Sequence, residues 1–292
     1  MKLSILVPAK NEFAGLSILL PDLKELYPTA EVIVVDDASN DGTDAVAKKF
    51  GCRVISHPYS KGNGAAIKSG LRIVTGDIVV CMDADGQHCA QDISKLLQKI
   101  DAGYDMVVGA RSKSGQASVQ RGLANALYNR FASWMVGHKV EDLTSGFRAI
   151  RTKKFREFLS LLPNKFSYPT TITMSFFRAG YSVAYVPVNV QQRLAGTQSH
   201  IRVWQDGIRF LLIIFKIGTL FSPLKLFLPI SVLFFITGLS YYLYSFLTIG
   251  RFTNMSMLLF ITSVLIFLMG LISEQITSLI YKDTQSTDRQ DI

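Results

Sequence analysis

The chain has 292 residues, a formal net charge of +9, 49% hydrophobic residues and a mean hydropathy of +0.26. This apolar content excludes an intrinsically disordered chain, and 21 Gly and three Cys exclude collagen-like and disulfide-scaffold proteins. A positive balance without a Lys/Arg run or an aromatic-studded basic stripe favours a membrane or a phosphorylated substrate as the partner, and no nucleic acid.

Short apolar runs alternate with helical patterns through the first hundred residues. The runs are Leu3–Pro8, Val32–Val35, Val54-Ile55 and Ile78–Met82. Strands of this length separated by amphipathic helices predict βαβ units, and therefore an α/β domain with a mostly parallel sheet flanked by helices. In such sheets, ligands bind at the carboxyl ends of the strands.

Polar motifs follow three of these strands. They are Pro8–Glu12, Asp36-Asp37 and Asp83–Gln87, and we expect them to form one site. Because side chains alternate along a strand, Asp83 and Asp85 are predicted to point to the same side. Two carboxylates at a strand end suit Mg²⁺ or Mn²⁺, and Gln87 would add a neutral ligand.

A glycine pair after the third strand could be mistaken for a dinucleotide-binding fingerprint. The first strand–helix turn contains no glycine, so we reject a nicotinamide cofactor. We expect Gly62 and Gly64 instead to let a helix N-terminus approach a ligand or neighbouring backbone, with Lys61 adding a cation. We interpret His57, His88 and His138 as ordinary loop or surface histidines.

The last third of the chain predicts two membrane spans. Leu224–Ile249 holds one charge, Lys225, and Met255–Ser273 holds none, and each is long enough to cross the hydrocarbon core. The short link Gly250–Asn254 makes them a hairpin with both chain ends on one side. Basic residues flank the hairpin rather than the link, which predicts cytoplasmic ends at the inner or plasma membrane. The N-terminus carries no signal-peptide pattern.

These patterns divide the chain into four segments. Residues 1–200 form a cytoplasmic α/β domain, and 201–223 form an amphipathic juxtamembrane helix in the headgroup layer. Residues 224–281 form the transmembrane hairpin, and 282–292 a cytoplasmic tail. The alternative for 201–223 is a helix packed on the domain.

Seven motifs in order carry a family resemblance: VPAKNE, VVDDASNDGT, KGNGAA, MDADGQH, VVGAR, DLTSGFRAI and RLAGTQS. They resemble the inverting family-2 glycosyltransferases with the GT-A fold. More narrowly, they resemble the polyprenyl-phosphate glycosyltransferases, which include dolichol-phosphate mannose synthase and bacterial undecaprenyl-phosphate enzymes. The C-terminal hairpin resembles the bacterial subgroup. The resemblance implies a nucleotide-sugar donor linked to UDP or GDP, glucose or mannose as the sugar, a divalent cation and a polyprenyl-phosphate acceptor. It also leaves room for a homo-oligomer assembled through the anchors.

The resemblance also implies roles for individual residues. Those matching the nucleotide-sugar site are Pro8, Ala9, Asn11, Glu12, Asp37, Lys61, Asp83, Ala84 and Arg111. Those matching metal ligands are Asp83, Asp85 and Gln87. Those matching catalytic groups are Asp85, Asp142, Arg121 and Arg193. Those matching the acceptor side are Thr144, Ser145, Gly146, Arg148 and His200. The family often carries Lys where His200 stands, and a neutral imidazole attracts phosphate less strongly.

Three alternatives stay open. A processive polysaccharide synthase would share the fold, but it normally carries a QxxRW motif and more spans, which the chain lacks. A nonprocessive transferase with a hydroxyl acceptor would need Asp142 as a base. A non-catalytic membrane scaffold would have no physical need for the acids and arginines.

Overall fold

The computed structural model describes residues 1–111, 119–164, 167–188, 215, 218–220 and 222–286, and of 119–125 and 280–286 it describes the backbone alone. The chain divides into two compact units, Met1–His200 and Ile201–Ile292.

The first unit alternates strands and helices as predicted. Its strands are β1 (Leu3–Ala9), β2 (Glu31–Asp36), β3 (Arg53–Ser56), β4 (Ile78–Cys81), β5 (Met106–Arg111), β6 (Arg148–Arg151) and β7 (Val183–Val188). Its helices are α1 (Phe13–Leu26), α2 (Thr43–Lys49), α3 (Asn63–Ile73), α4 (Ile93–Asp101), α5 (Val119–Val136), α6 (Thr152–Glu157) and α7 (Tyr168–Arg178), and a 3-10 turn at Ala90–Asp92 precedes α4.

The strands form one mixed sheet in the order β3-β2-β1-β4-β6-β5-β7. Neighbouring strands are parallel except at β6, which runs antiparallel to both β4 and β5. The central strands are buried on both faces, as their continuous apolar runs require, and Ile5, Val34 and Val80 are completely buried. The prediction of an α/β sheet flanked by helices is confirmed.

The parallel register brings the polar strand ends together. Ala9 of β1 pairs with Asp36 of β2, and Asp36 in turn pairs with Ser56 of β3. The Asp37 amide donates to the Ala9 carbonyl at 2.9 Å, and the Met82 amide donates to the Leu6 carbonyl at 3.2 Å. The loops that follow β1, β2 and β4 therefore begin at the same edge of the sheet.

The second unit contains two long apolar helices, α8 (Pro223–Ile249) and α9 (Asn254–Ser286). Both are long and apolar enough to cross a membrane, with mean hydropathies of 1.9 for Pro223–Ile249 and 2.5 for Asn254–Leu279. Helix α9 continues past both the predicted span and the predicted end of the hairpin at residue 281. The structure thus shows an apolar hairpin, with its link at the predicted position.

Small and hydroxylated residues hold the hairpin together. The Ser231 and Ser263 hydroxyls each donate to the other residue's carbonyl at 2.9 Å. A Cβ at Gly270 would lie 2.7 Å from Cβ of Phe227, so only glycine allows this close approach. The Glu274 carboxylate accepts from the Leu224 amide at 3.2 Å and caps the start of α8. This hydrogen bond gives Glu274, a carboxylate within an apolar helix, a structural role.

Candidate active site

A cavity of about 440 Å³ lies at the carboxyl ends of β1, β2 and β4, beside the first turn of α3. The structure therefore brings together the three polar strand ends that the sequence assigns to one site. The lining residues are Pro8, Ala9, Lys10, Glu12, Asp37, Ser60, Gly62, Asn63, Ala66, Asp83, Ala84 and Asp85.

The Asp83–Asp85 motif lies on a loop rather than on a strand. Strand β4 ends at Cys81, so the alternation of strand side chains on which the prediction relied does not extend to the two carboxylates. Both aspartates nevertheless line the cavity. The backbone amide of Gln87 donates to Oδ1 of Asp85 at 3.1 Å, which tightens the turn. The expected metal ligand Gln87 is not among the residues that line the cavity.

The backbone of helix α1 packs directly against this loop. A Cβ built on Gly15 would lie 2.0 Å from the Ala84 carbonyl oxygen, which is far inside van der Waals contact with backbone. Gly15 is buried in the first turn of α1. The missing side chain therefore lets the helix backbone press directly against the aspartate loop.

We expect Gly15→Ala to fold but to displace this loop. Overpacking of this kind costs about 1–3 kcal/mol of unfolding free energy, and the displaced carboxylates should bind Mn²⁺ about tenfold more weakly. Thermal unfolding and a Mn²⁺ titration measure the two effects. Ala14→Ser, at an exposed neighbouring position, is the matched control. Unchanged Mn²⁺ affinity in Gly15→Ala would show that the contact does not set the loop.

The lining carboxylates fit a hard divalent cation. Asp83 and Asp85 supply oxygen atoms, the ligands that Mg²⁺ and Mn²⁺ prefer. Within the described parts of the chain, no three His, Cys, Asp or Glu side chains form a ready-made metal cage. Mg²⁺ commonly takes one or two protein carboxylates and completes its shell with water and substrate phosphates, so two aspartates on an open cavity suit it.

Asp37 is held by four protein donors. Its Oδ1 lies 2.7 Å from His57 Nδ1 and accepts from the Lys61 amide at 2.8 Å. Its Oδ2 accepts from the Ser60 hydroxyl and the Gly62 amide, both at 2.8 Å. Burial opposes its ionisation, but these hydrogen bonds outweigh burial and lower the pKa of Asp37 to about 2. The carboxylate thus shapes the loop at residues 60–62, a role that the sequence did not show.

The low pKa of Asp37 predicts a pH-dependent stability. The folded-state pKa lies below the unfolded value of 3.8, so the contribution is complete above about pH 4 and is lost as the pH falls towards about 2. We expect about 2 kcal/mol of unfolding free energy from this group.

Unfolding of the detergent-solubilised protein measured from pH 5 to pH 2 tests this expectation. Asp37→Asn should lose that part of the pH dependence, whereas a control at exposed Asp101 should keep it. Parallel pH curves for the wild type and Asp37→Asn would contradict the assignment.

The lysine that lines the cavity is Lys10 rather than Lys61. The Lys10 ammonium donates to the hydroxyl of Ser60, another lining residue, at 2.9 Å. The Lys61 ammonium lies 5.5 Å from the centre of the Tyr59 ring, and Lys61 contributes its backbone amide to Asp37 instead. Lys10 stands inside the VPAKNE motif, but nothing in its spacing distinguishes it from a solvent-exposed lysine.

The two loops that follow β1 and β2 brace each other. The backbone amide of Asn11 donates to the Ser39 hydroxyl at 2.8 Å, and Oδ1 of Asn11 accepts from the backbone amide of Asn40 at 3.0 Å. The amides of Glu12 and Phe13 donate to the side chains of Thr43 and Asp41. Asn11 therefore supports the cavity rim without lining it, and side chains of the β2–α2 loop and of the first residue of α2 already cap the start of α1.

A second polar cluster joins Arg111 to the Asp142–Ser145 turn. The guanidinium binds Asp142 through two nitrogens, at 2.8 and 2.9 Å, and also donates to the Thr144 hydroxyl. The amides of Thr144 and Ser145 donate to Oδ1 of Asp142 at 3.1 Å. Burial opposes ionisation of Asp142, but Arg111 and these amides hold its pKa below the usual value. Asp142 is therefore ionised and saturated with donors, which makes it a poor proton acceptor.

Arg148 does not face a substrate. Its side chain is completely buried, and its guanidinium donates to the carbonyls of Ser145 and Pro169 and to the Thr173 hydroxyl. A buried group with these partners does not reach an acceptor, so the structure contradicts direct acceptor binding by Arg148. The Gly146 carbonyl is likewise used within the protein, where it accepts from the Tyr168 hydroxyl at 3.1 Å.

Two histidines belong to the surroundings of the site. His57 and His88 lie in loops, as interpreted, but they are only 6% and 8% exposed and are therefore not surface residues. His57 bridges Asp37 and the Ser69 hydroxyl, and His88 stacks on Phe147 with 4.9 Å between the ring centres. Their burial depends on contacts distant in sequence, and their spacing gave no signal of it.

Several expected residues lie outside the described part of the chain. They are the side chain of Arg121, together with Arg193 and His200 and nearly all of the segment 201–223.

Comparisons with known proteins agree with this geometry. Residues 4–159 match the family described as Glycosyl transferase family 2, and residues 222–279 match the GtrB C-terminal hairpin. An α/β domain with an acid-lined cavity at its strand ends, followed by an apolar hairpin, is the arrangement of a membrane glycosyltransferase. The chain belongs to glycosyltransferase family 2.

Named relatives cover most of the chain. The polyprenol monophosphomannose synthase of Mycolicibacterium smegmatis is 30% identical over 66% of this chain and 78% of its own length. The undecaprenyl-phosphate mannosyltransferase of Micrococcus luteus is 30% identical over 67% and 86%. A solved structure of glucosyl-3-phosphoglycerate synthase from Mycobacterium tuberculosis is 22% identical, covers 74% of this chain and 78% of its own, and superposes with a TM-score of 0.59. That likeness shows the fold.

Proposed function

We propose that this enzyme transfers a sugar from a nucleoside-diphosphate sugar to a polyprenyl phosphate with inversion at the anomeric carbon. The observation that carries the proposal is the cavity edged by Asp83 and Asp85 in a chain that also carries an apolar hairpin. The two mannosyltransferase relatives are named for polyprenol and undecaprenyl-phosphate substrates. A polyprenyl chain stays in the bilayer, so an anchored enzyme meets the lipid phosphate by local encounter.

The charge balance of the cavity supports a cation-dependent donor site. Four carboxylates, those of Glu12, Asp37, Asp83 and Asp85, line it with one lysine, Lys10. These acids alone would repel a diphosphate. Bound Mg²⁺ or Mn²⁺ would supply the positive charge that stabilises the leaving diphosphate.

Asp83 and Asp85 are the side chains placed to hold that cation, with Gln87 tightening the turn beside them. The Mycobacterium tuberculosis synthase was crystallised with Mn²⁺ and UDP-glucose. We propose UDP or GDP as the carrier, and glucose or mannose as the sugar.

The acceptor side favours a phosphate nucleophile. A lipid phosphate is already ionised near neutral pH, so it needs orientation rather than deprotonation. Asp142 is saturated by Arg111 and two amides and has little capacity left as a base. This disfavours a hydroxyl acceptor, which would need one. By resemblance we propose that Arg121, Arg193 and His200 contact the acceptor or the phosphates, beside Thr144.

We propose that residues 1–200 form the catalytic domain on the cytoplasmic side. Residues 201–223 would lie in the interface, 224–281 would span the membrane and 282–292 would form a tail. The distribution of Lys and Arg around the hairpin supports this orientation. An impermeant maleimide should label Thr253→Cys from outside intact cells. Labelling only after the membrane is opened would reverse the orientation.

A transfer assay tests the proposed reaction. Purified full-length protein is incubated with undecaprenyl phosphate, Mg²⁺ or Mn²⁺, and a panel of radiolabelled UDP- and GDP-sugars. We expect one donor to give a chloroform-soluble product that is labile to mild acid, and chelation of the metal to stop its formation. Turnover that needs an added saccharide or protein would instead establish a hydroxyl acceptor. Failure to bind any nucleotide in the presence of metal would point to a non-catalytic scaffold.

A further inference from the structure

A buried arginine lies directly beneath the candidate site. Arg148 begins β6, where its backbone pairs with Cys81 at the end of β4 and with Val108 of β5. Its guanidinium is inaccessible to solvent and donates to the Pro169 carbonyl at 3.0 Å and the Thr173 hydroxyl at 3.1 Å. It also donates to the Ser145 carbonyl. One side chain thus joins the start of α7 to the turn that follows Asp142.

The buried charge of Arg148 is held by neutral groups in the part of the chain that the structure describes. In the described residues, no Asp or Glu oxygen forms an ion pair with its guanidinium. An unpaired buried charge is costly unless hydrogen bonds and nearby opposite charges offset it. Its hydrogen bonds to Ser145, Pro169 and Thr173 supply part of that offset, and they tie Arg148 to the turn that Asp83 abuts.

Tyr168 completes the connection to Asp83. The tyrosine ring centre lies 5.8 Å from the Arg148 guanidinium carbon, and its hydroxyl donates to the Gly146 carbonyl at 3.1 Å. On its other side Gly146 abuts Asp83, since a Cβ there would lie 2.6 Å from Oδ2 of Asp83. The chain of contacts therefore runs from α7 through the 145–146 turn to a carboxylate that lines the cavity.

We propose that Arg148 and Tyr168 form a buried clamp that positions Asp83 for metal binding and fixes its distance from the Asp142 turn. Arg148 holds the Ser145 carbonyl, Tyr168 holds the Gly146 carbonyl, and the turn so fixed presses on Asp83. Both are positioning residues, since neither reaches the cavity. The clamp rests on the proposed function in one respect, which is that the ligand of Asp83 is a divalent cation bound together with UDP or GDP.

The test compares two chemically identical substitutions. Tyr168→Phe removes the hydroxyl that holds Gly146. Tyr128→Phe removes another buried tyrosine hydroxyl, which donates to the Thr170 hydroxyl on the same helix, α7, at 3.2 Å. Binding of Mn²⁺ to the full-length protein is measured by electron paramagnetic resonance, with UDP and then GDP present and no acceptor. Thermal unfolding is recorded in parallel.

We expect Tyr168→Phe to weaken Mn²⁺ binding about fivefold, which is the equivalent of one lost hydrogen bond. Tyr128→Phe should lower the thermal stability by a similar amount but leave the Mn²⁺ affinity unchanged. Gly146→Ala should also weaken Mn²⁺ binding, and the double variant Gly146→Ala/Tyr168→Phe should be less than additive because both act on one turn. Wild-type Mn²⁺ affinity in Tyr168→Phe, or an equal loss in Tyr128→Phe, would overturn the clamp. A missing lipid product with normal Mn²⁺ results would count against the proposed acceptor and not against the clamp.

Discussion

Asp85→Asn is expected to lower sugar transfer by more than about a thousandfold while the protein stays folded. The substitution keeps the size of a side chain that lines the cavity but removes the charge that would hold the divalent cation, and electrostatic stabilisation of a leaving group supplies several kcal/mol. The assay with undecaprenyl phosphate measures the loss, and circular dichroism reports folding.

The matched control for Asp85→Asn lies at the other end of the same strand. Asp77 precedes β4 and accepts from the Lys2 amide at 2.8 Å, away from the cavity. Asp77→Asn should therefore transfer sugar at close to the wild-type rate. Near-normal turnover in Asp85→Asn would refute the metal assignment, and it would do so whichever sugar proves to be the donor.

Asp142→Asn is expected to lower transfer about a hundredfold by disordering the Arg111 cluster rather than by removing a base. Asparagine offers a single acceptor oxygen, so its NH2 group would face some of the two guanidinium nitrogens and three backbone amides that converge on the carboxylate. The wild-type carboxylate has a lowered pKa and is ionised throughout the neutral range. The pH–rate profile of the variant should therefore keep the wild-type shape.

Chemical rescue distinguishes the two roles of Asp142. Added formate should leave the Asp142→Asn rate unchanged if the residue positions Arg111. Restored activity with formate would instead identify a general base and revive the hydroxyl acceptor. Glu141→Gln is the neighbouring control, because Glu141 pairs with exposed Lys139 and is 43% exposed itself.

Much of the architecture was predictable because it follows from local patterns. Apolar runs of strand length between helices predict a parallel α/β sheet, and the register of such a sheet brings the ends of β1, β2 and β4 to one edge. The hairpin was predictable for the same reason, since its length and apolarity are properties of consecutive residues.

The family, the acid-lined strand ends and the apolar hairpin follow from the order of residues along the chain, whereas the roles of several site residues depend on tertiary contacts. Asp37 meets donors 20 to 25 residues away, and Gly15 touches the Ala84 carbonyl. Arg148 is turned into the protein by partners on α7. A motif specifies which residue stands at a strand end, but the direction of its side chain depends on which donors and acceptors the fold brings within about 3 Å. Hydrogen-bond saturation is a property of that three-dimensional neighbourhood, and spacing along the chain does not encode it.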